Sequence, residues 1–193
     1  MYFPYIGNIV DASSLMDIAL SIPDTEYTPR CSALEDITTK HKPGYEDKNY
    51  TYYNSHNSMY YEYKLDNCPI LDDNFFHNIT AKREGHVAKI MWSNPGNTEP
   101  PHVDWFPSFV GATKSDGSAW TQEDADNNRK LITRVWIPLV DSKIGHILFG
   151  NNCALTTWEA GDAFRIVPGN IHGFTNSGRE RRYVLVVTAW LNL

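Results

Sequence analysis

Residues 100–105 read Pro-Pro-His-Val-Asp-Trp. On a strand, residues i and i+2 point to the same face, so His102 and Asp104 can present an imidazole and a carboxylate to one point in space. A metal needs a third ligand. His172, within Gly169-Asn-Ile-His-Gly-Phe174, stands 68 residues after Asp104 at the start of another candidate strand. Two histidines and one carboxylate on one face of an ion, with its other positions open, form the set that suits Fe(II) and oxygen chemistry. Ten residues after His172, Arg182 opens the apolar run Tyr183-Val-Leu-Val-Val-Thr-Ala-Trp190, in which 182, 184, 186, 188 and 190 share a face. A guanidinium among apolar neighbours is costly to bury unless an anion meets it. A dicarboxylate would meet that need. Arg181 competes for the same role, but strand alternation sends it to the opposite face.

These residues must be held by a scaffold, and the second half of the chain reads as strands. Val87–Trp92, Ile132–Leu139, Gly145–Phe149, Ala154–Trp158, Asp162–Val167, Ile171–Thr175 and Tyr183–Trp190 are short, rich in β-branched or aromatic residues, and bounded by Gly, Asn, Asp and Pro. Strands at this spacing predict an antiparallel sandwich or barrel. Glu159-Ala-Gly161-Asp162 reads as a hairpin turn in which Gly161 supplies a positive φ. Upstream, Asp11 is placed to cap a helix carrying Leu15, Ile18, Ala19 and Ile22 and stopped by Pro23. A second helix is predicted over Asp72–Arg83, with Gly85 just past its end. Pro107–Arg129, rich in Ser, Gly, Asp and Asn, reads as a surface loop long enough to act as a lid.

The combination His102-x-Asp104, Trp158-Glu-Ala-Gly161-Asp162, and His172 followed by Arg182 resembles the core of a 2-oxoglutarate- and Fe(II)-dependent dioxygenase. Within that superfamily, Thr133-Arg134-Val-Trp136-Ile-Pro-Leu139, the Trp-Glu-x-Gly-Asp turn and the Arg-x-x-x-x-Val-x-x-Trp ending resemble the aspartyl/asparaginyl β-hydroxylase branch and its small relatives, including free-proline hydroxylases. The match spans about residues 86–193 and leaves the first 85 unmatched. It implies a mainly β fold with flanking helices and a double-stranded β-helix (jelly-roll, cupin-like) core. On this reading residues 1–193 form one domain, with 1–85 as N-terminal support and 86–193 as the metal-binding core. The resemblance also implies His102, Asp104 and His172 as iron ligands and catalytic residues, with Arg182 partnering the distal carboxylate of 2-oxoglutarate. Arg134 occupies the place of an arginine facing substrate or cosubstrate. Trp136 stands where the branch often has a cosubstrate-contacting histidine, and Asp104 is a carboxylate ligand that some β-hydroxylases lack. The implied cofactors are Fe(II), 2-oxoglutarate as cosubstrate, and O2. The implied reaction hydroxylates an amino-acid side chain in a protein or peptide, or a free amino acid, with succinate and CO2 as coproducts.

Composition bounds what else the chain can be. Its 193 residues suit one domain, and the formal charge of −6, with no basic run longer than Arg181-Arg182, argues against a nucleic-acid partner. No apolar run reaches membrane-spanning length, and Cys31, Cys68 and Cys153 lie far apart with no CxxC spacing. A cytoplasmic protein with reduced thiols is therefore expected. Ten of the eleven tyrosines lie between Tyr2 and Tyr63, and all six tryptophans between Trp92 and Trp190. The stretch Tyr45–Tyr63 could bind a peptide or form half-exposed strands. His146 and His86 read as structural, His41, His56 and His77 as surface residues, and Trp105 and Phe106 as packing. Two other functions stay open at this level. One is a cupin-type metalloenzyme that does not use 2-oxoglutarate, which would need nothing of Arg182. The other is a non-catalytic jelly-roll binding module, in which His102, Asp104 and His172 would not converge.

Overall fold

The computed structural model describes residues 3–31, 59–65, 68–104, 118, 121–150 and 153–192. Among them, eleven strands form two antiparallel sheets. In chain order the elements are β1 (Tyr5–Asn8), α1 (Ala12–Ser21), β2 (Thr28–Cys31), β3 (Met59–Leu65), α2 (Asp73–Asn78), β4 (Val87–Ser93) and β5 (Thr98–His102). They continue with α3 (Gln122–Asn127), β6 (Ile132–Pro138), β7 (His146–Gly150), β8 (Cys153–Leu155), β9 (Asp162–Ile166), β10 (His172–Asn176) and β11 (Arg182–Trp190). One sheet has the order β1-β9-β6-β11-β4-β3-β2 and the other β5-β10-β7-β8. From β4 onward, consecutive strands pass between the sheets, β7 and β8 excepted, so β4-β11-β6-β9 faces β5-β10-β7-β8. That winding is the double-stranded β-helix, and the fold is mainly β with flanking helices.

Strand alternation divides the apolar residues into two cores. Ala88, Ile90 and Trp92 of β4, Val135 and Ile137 of β6, and Leu185, Val187 and Ala189 of β11 pack outward against Leu15 and Ala19 of α1 and Phe75 and Phe76 of α2. The intervening positions, Met91, Trp136, Val184 and Val186, point into the barrel with Phe164, Ile166, Phe174, Leu148 and Trp158. β6 and β11 are thus buried on both faces, which is why their sequences read as nearly continuous apolar runs.

The predicted α1 forms as expected, its first turn capped by the Asp11 carboxylate, which accepts from the Ser13 and Ser14 amides. Other expectations are corrected. The second helix ends at Asn78 rather than Arg83, because Thr80 adopts a positive φ of 55° and Ala81 turns away to bridge Leu191. The strand predicted over Ala154–Trp158 is confined to Cys153–Leu155. Gly161 does adopt φ 90°, but its turn carries the chain from β8 in one sheet to β9 in the other and so closes no hairpin. Within the predicted 107–129 loop, Thr121 and Asp124 form a capping box that starts α3, so this part is helical. Residues 105–117, 119 and 120, with most of the lid and with Trp105 and Phe106, lie outside the described residues, as do His41 and His56 and most of the Tyr45–Tyr63 stretch.

Candidate metal centre

The triad is assembled by strand pairing. β5 and β10 are antiparallel neighbours, and His172 is registered directly against His102, which leaves the two rings 4.5 Å apart. Strand β5 ends at His102, so Asp104 reaches the site from just past the strand rather than as its i+2 position. Its Oδ1 is 3.7 Å from His102 Nε2 and its Oδ2 is 3.3 Å from His172 Nε2. One donor atom from each of the three residues lies within 4.8 Å of the others.

Second contacts fix these donors. His172 Nδ1 lies 3.0 Å from the Asn170 carbonyl, to which its N–H donates in the neutral ring, leaving a lone pair on Nε2. Arg134 donates from Nη1 to Asp104 Oδ1 and from Nε to Thr188 Oγ1 at 3.1 Å. Burial alone would push the Asp104 carboxyl up, but Arg134 and the two histidines hold it well below the usual carboxylate range. It is therefore a buried carboxylate at neutral pH, and its Oδ2 has no hydrogen-bond donor among the described residues. His172 Nε2 and Asp104 Oδ2 face each other at 3.3 Å, a contact that either a proton or a cation between them satisfies. The donor set and this orphaned oxygen both fit a divalent metal.

Arg182 enters the same barrel from β11. It is 2% exposed, and its guanidinium carbon stacks 3.8 Å over the Phe174 ring and 5.7 Å from Trp136. Nε and Nη1 have no hydrogen-bond partner among the described residues. Burial pushes this guanidinium down to about 9, opposed only by the charge of Glu99. Phe174 is two residues beyond His172 on the same strand, so the cation stacks on the next side chain of β10 that shares a face with a triad histidine. Arg181 points outward, pairing with Asp24 at 2.8 and 3.0 Å and lying over Trp92. Trp136 is packed edge-on against Trp158 inside the barrel, with its centroid 5.0 Å away.

The structure also brings in a residue that sequence spacing does not signal. Glu99 Oε1 lies 3.6 Å from His102 Nε2. Positions i and i+3 of a regular strand face opposite sides, but the β5–β10 register shifts by one residue between His172 and Phe174. This bulge turns Glu99 and His102 to the same side.

No protein-family model matches the chain, and no curated protein matches it. Among solved structures it is similar to the cupin domain of Schizosaccharomyces pombe Cnp3, at 11% identity and a TM-score of 0.40 over 68% of this chain and 61% of that one. A predicted oxalate decarboxylase of Thermotoga maritima gives 15% identity and 0.41 over 88% and 98%. Oxalate oxidase in complex with the substrate analogue glycolate gives 16% and 0.38 over 68% and 51%. At these values the likeness concerns the β-helix alone and carries no inference about activity. No helix among the described residues is long and apolar enough to cross a membrane.

Proposed function

We propose that the chain is a 2-oxoglutarate-dependent Fe(II) oxygenase that hydroxylates an amino-acid side chain, in a protein or peptide or as the free amino acid. The observation that carries this reading is the buried Arg182, whose Nε and Nη1 have no hydrogen-bond partner among the described residues, in the same barrel as a two-histidine, one-carboxylate cluster. Bound there, Fe(II) with 2-oxoglutarate and O2 would supply the hydroxylating chemistry, with succinate and CO2 as coproducts. In this scheme His102, Asp104 and His172 hold the ion and leave its remaining positions open. Arg134 keeps Asp104 ionised and in one orientation. Arg182 binds the distal carboxylate through its fork of donors. Phe174, Val184 and Leu148, all buried, keep water from the space between them.

A second reading, a cupin-type metalloenzyme without 2-oxoglutarate, is favoured by Glu99, which adds another carboxylate beside His102. Incubation with Fe(II), ascorbate and 2-oxoglutarate separates the two. Succinate formation is expected, and addition of the right peptide or amino acid should raise it while that substrate gains 16 Da, one oxygen atom. Metal binding without any succinate would select the second reading, and no metal uptake at all would leave a binding module.

A further inference from the structure

Among the described residues the triad is most open on the His102 side, where the side chain is 26% exposed against 6% for His172 and 9% for Asp104. Glu99 stands on that side. The β5–β10 register sets it opposite Phe174, its side chain is 15% exposed, and its Oε1 lies 3.6 Å from His102 Nε2. It does not belong to the group of donor atoms that His102, Asp104 and His172 bring together. No described residue donates a hydrogen bond to its carboxylate. Its charge eases the burial of Arg182 through space, but an anion bound to Arg182 would take that compensation away. A largely buried carboxylate in this state is costly, and a cation relieves it. Strand β3, from the N-terminal section, packs against β5 at the edge of the barrel. Alternation turns Tyr61 and Tyr63 to the outer core and Tyr60 to the inner one. There its ring meets Phe174 edge to face, with the centroids 6.2 Å apart. Burial, then the charges of Glu99 and Glu62, hold its hydroxyl well above the usual tyrosine value of 10.0, against Arg134. Tyr60 is therefore a neutral aromatic ring in the field of a carboxylate. Glu62, the next residue on that face, is already held by Lys89 at 3.0 Å from each oxygen.

We propose that Glu99 and Tyr60 form the substrate-binding side of the metal centre and select a substrate that carries a protonated amine. This rests on the oxygenase reading given above and deepens it by naming the substrate class. The chemistry is that of ammonium recognition, in which a carboxylate accepts the N–H bonds and an aromatic ring offers its negative face to the charge. An ammonium held beside His102 donates to Glu99 and lies against Tyr60, while the carbon chain attached to it extends toward the triad. The same group has two sources, the side chain of a lysine residue in a peptide and the α-ammonium of a free amino acid. An acidic side chain would bring a like charge to Glu99 and is selected against. Because β3 belongs to the N-terminal section, that section then sets specificity as well as supporting the barrel.

The test is calorimetric binding of three probes to the full chain with Mn(II) and 2-oxoglutarate, in the absence of oxygen. Nα-acetyl-lysine amide carries only a side-chain ammonium, norleucine amide only an α-ammonium, and Nα-acetyl-norleucine amide neither. At least one ammonium probe should bind about tenfold or more tighter than the neutral one, and Mn(II) should shorten the NMR relaxation times of the protons beside its nitrogen. The tighter of the two ammonium probes identifies the source. Glu99→Gln should abolish the preference and leave Mn(II) affinity unchanged. Tyr60→Leu should weaken ammonium binding about three- to tenfold, and Tyr60→Phe, which keeps the ring, should restore it. Equal binding of all three probes would overturn the proposal, as would a preference that survives Glu99→Gln or ammonium binding unchanged in Tyr60→Leu. Loss of Mn(II) affinity in Glu99→Gln would overturn it too, by making Glu99 a metal ligand. A Glu99-dependent ammonium preference in a protein that neither binds 2-oxoglutarate nor forms succinate would uphold the subsite and sink the cosubstrate reading. Succinate formation with no ammonium preference would do the reverse.

Discussion

Asp104 is the residue on which the metal site turns, because it is the one ligand whose charge the protein must maintain against burial. Asp104→Asn keeps the shape and removes the charge, leaving Arg134 without its counter-ion. Binding of Mn(II) or Fe(II), measured by calorimetry, should weaken by at least about tenfold. The sign of the pH effect follows from the same contacts. The folded carboxyl lies below its unfolded value of 3.8, so its contribution to metal-free stability is complete above about pH 4. It is lost as pH falls through the folded value. The melting temperature of the metal-free wild type should therefore drop on acidification below pH 4 more steeply than that of Asp104→Asn. Arg182→Lys keeps a cation but loses the fork that grips a carboxylate at two points. The apparent KM for 2-oxoglutarate should rise at least about tenfold with metal affinity unchanged. Weakened metal binding in that variant would show that Arg182 supports the ligands instead.

At the scale of elements, the turn between β8 and β9 shows how a local rule and a long-range contact combine. Glu159 N donates to the Asp162 carboxylate at 2.9 Å, which closes the turn. Gly161, at φ 90°, lets it pass beneath the chain before α1. A Cβ on Gly161 would lie 2.8 Å from the Val10 carbonyl oxygen and 2.9 Å from Asn8 Oδ1. Gly161→Ala therefore combines an unfavourable φ with a backbone clash, and should cost at least about 1–3 kcal/mol by urea denaturation. A neutral result would mean that β1 and the loop after it can shift without loss of pairing to β9.

For the whole molecule, the consequence of two cores is that stability and chemistry are separable. Leu185 is fully buried on the helix-facing side of β11, between the inward-facing Val184 and Val186. Leu185→Ala should destabilise by about 2–5 kcal/mol in chemical denaturation, while metal affinity of the folded protein stays within about twofold. Coupled loss of both would show that the outer core sets the geometry of the ligands through the sheet.

What the sequence alone determined is what repeats at short range. The alternation of β4, β6 and β11, the Asp11 cap, the inward face of Arg182 with Arg181 outward, and the order His102, Asp104, His172 all follow from periodicity or from spacing within one element. Side-chain direction is a local property there. Tertiary structure decided what depends on register between distant strands. β1 and β2 are short, and β1 pairs with β9 from the other end of the chain while β2 reaches the sheet only through β3, so their local sequence carries little pairing signal. The bulge that turns Glu99 toward His102 exists only in the β5–β10 pairing. His146 reads as one more strand histidine until the β7–β10 register sets it opposite Asn176 in the interior.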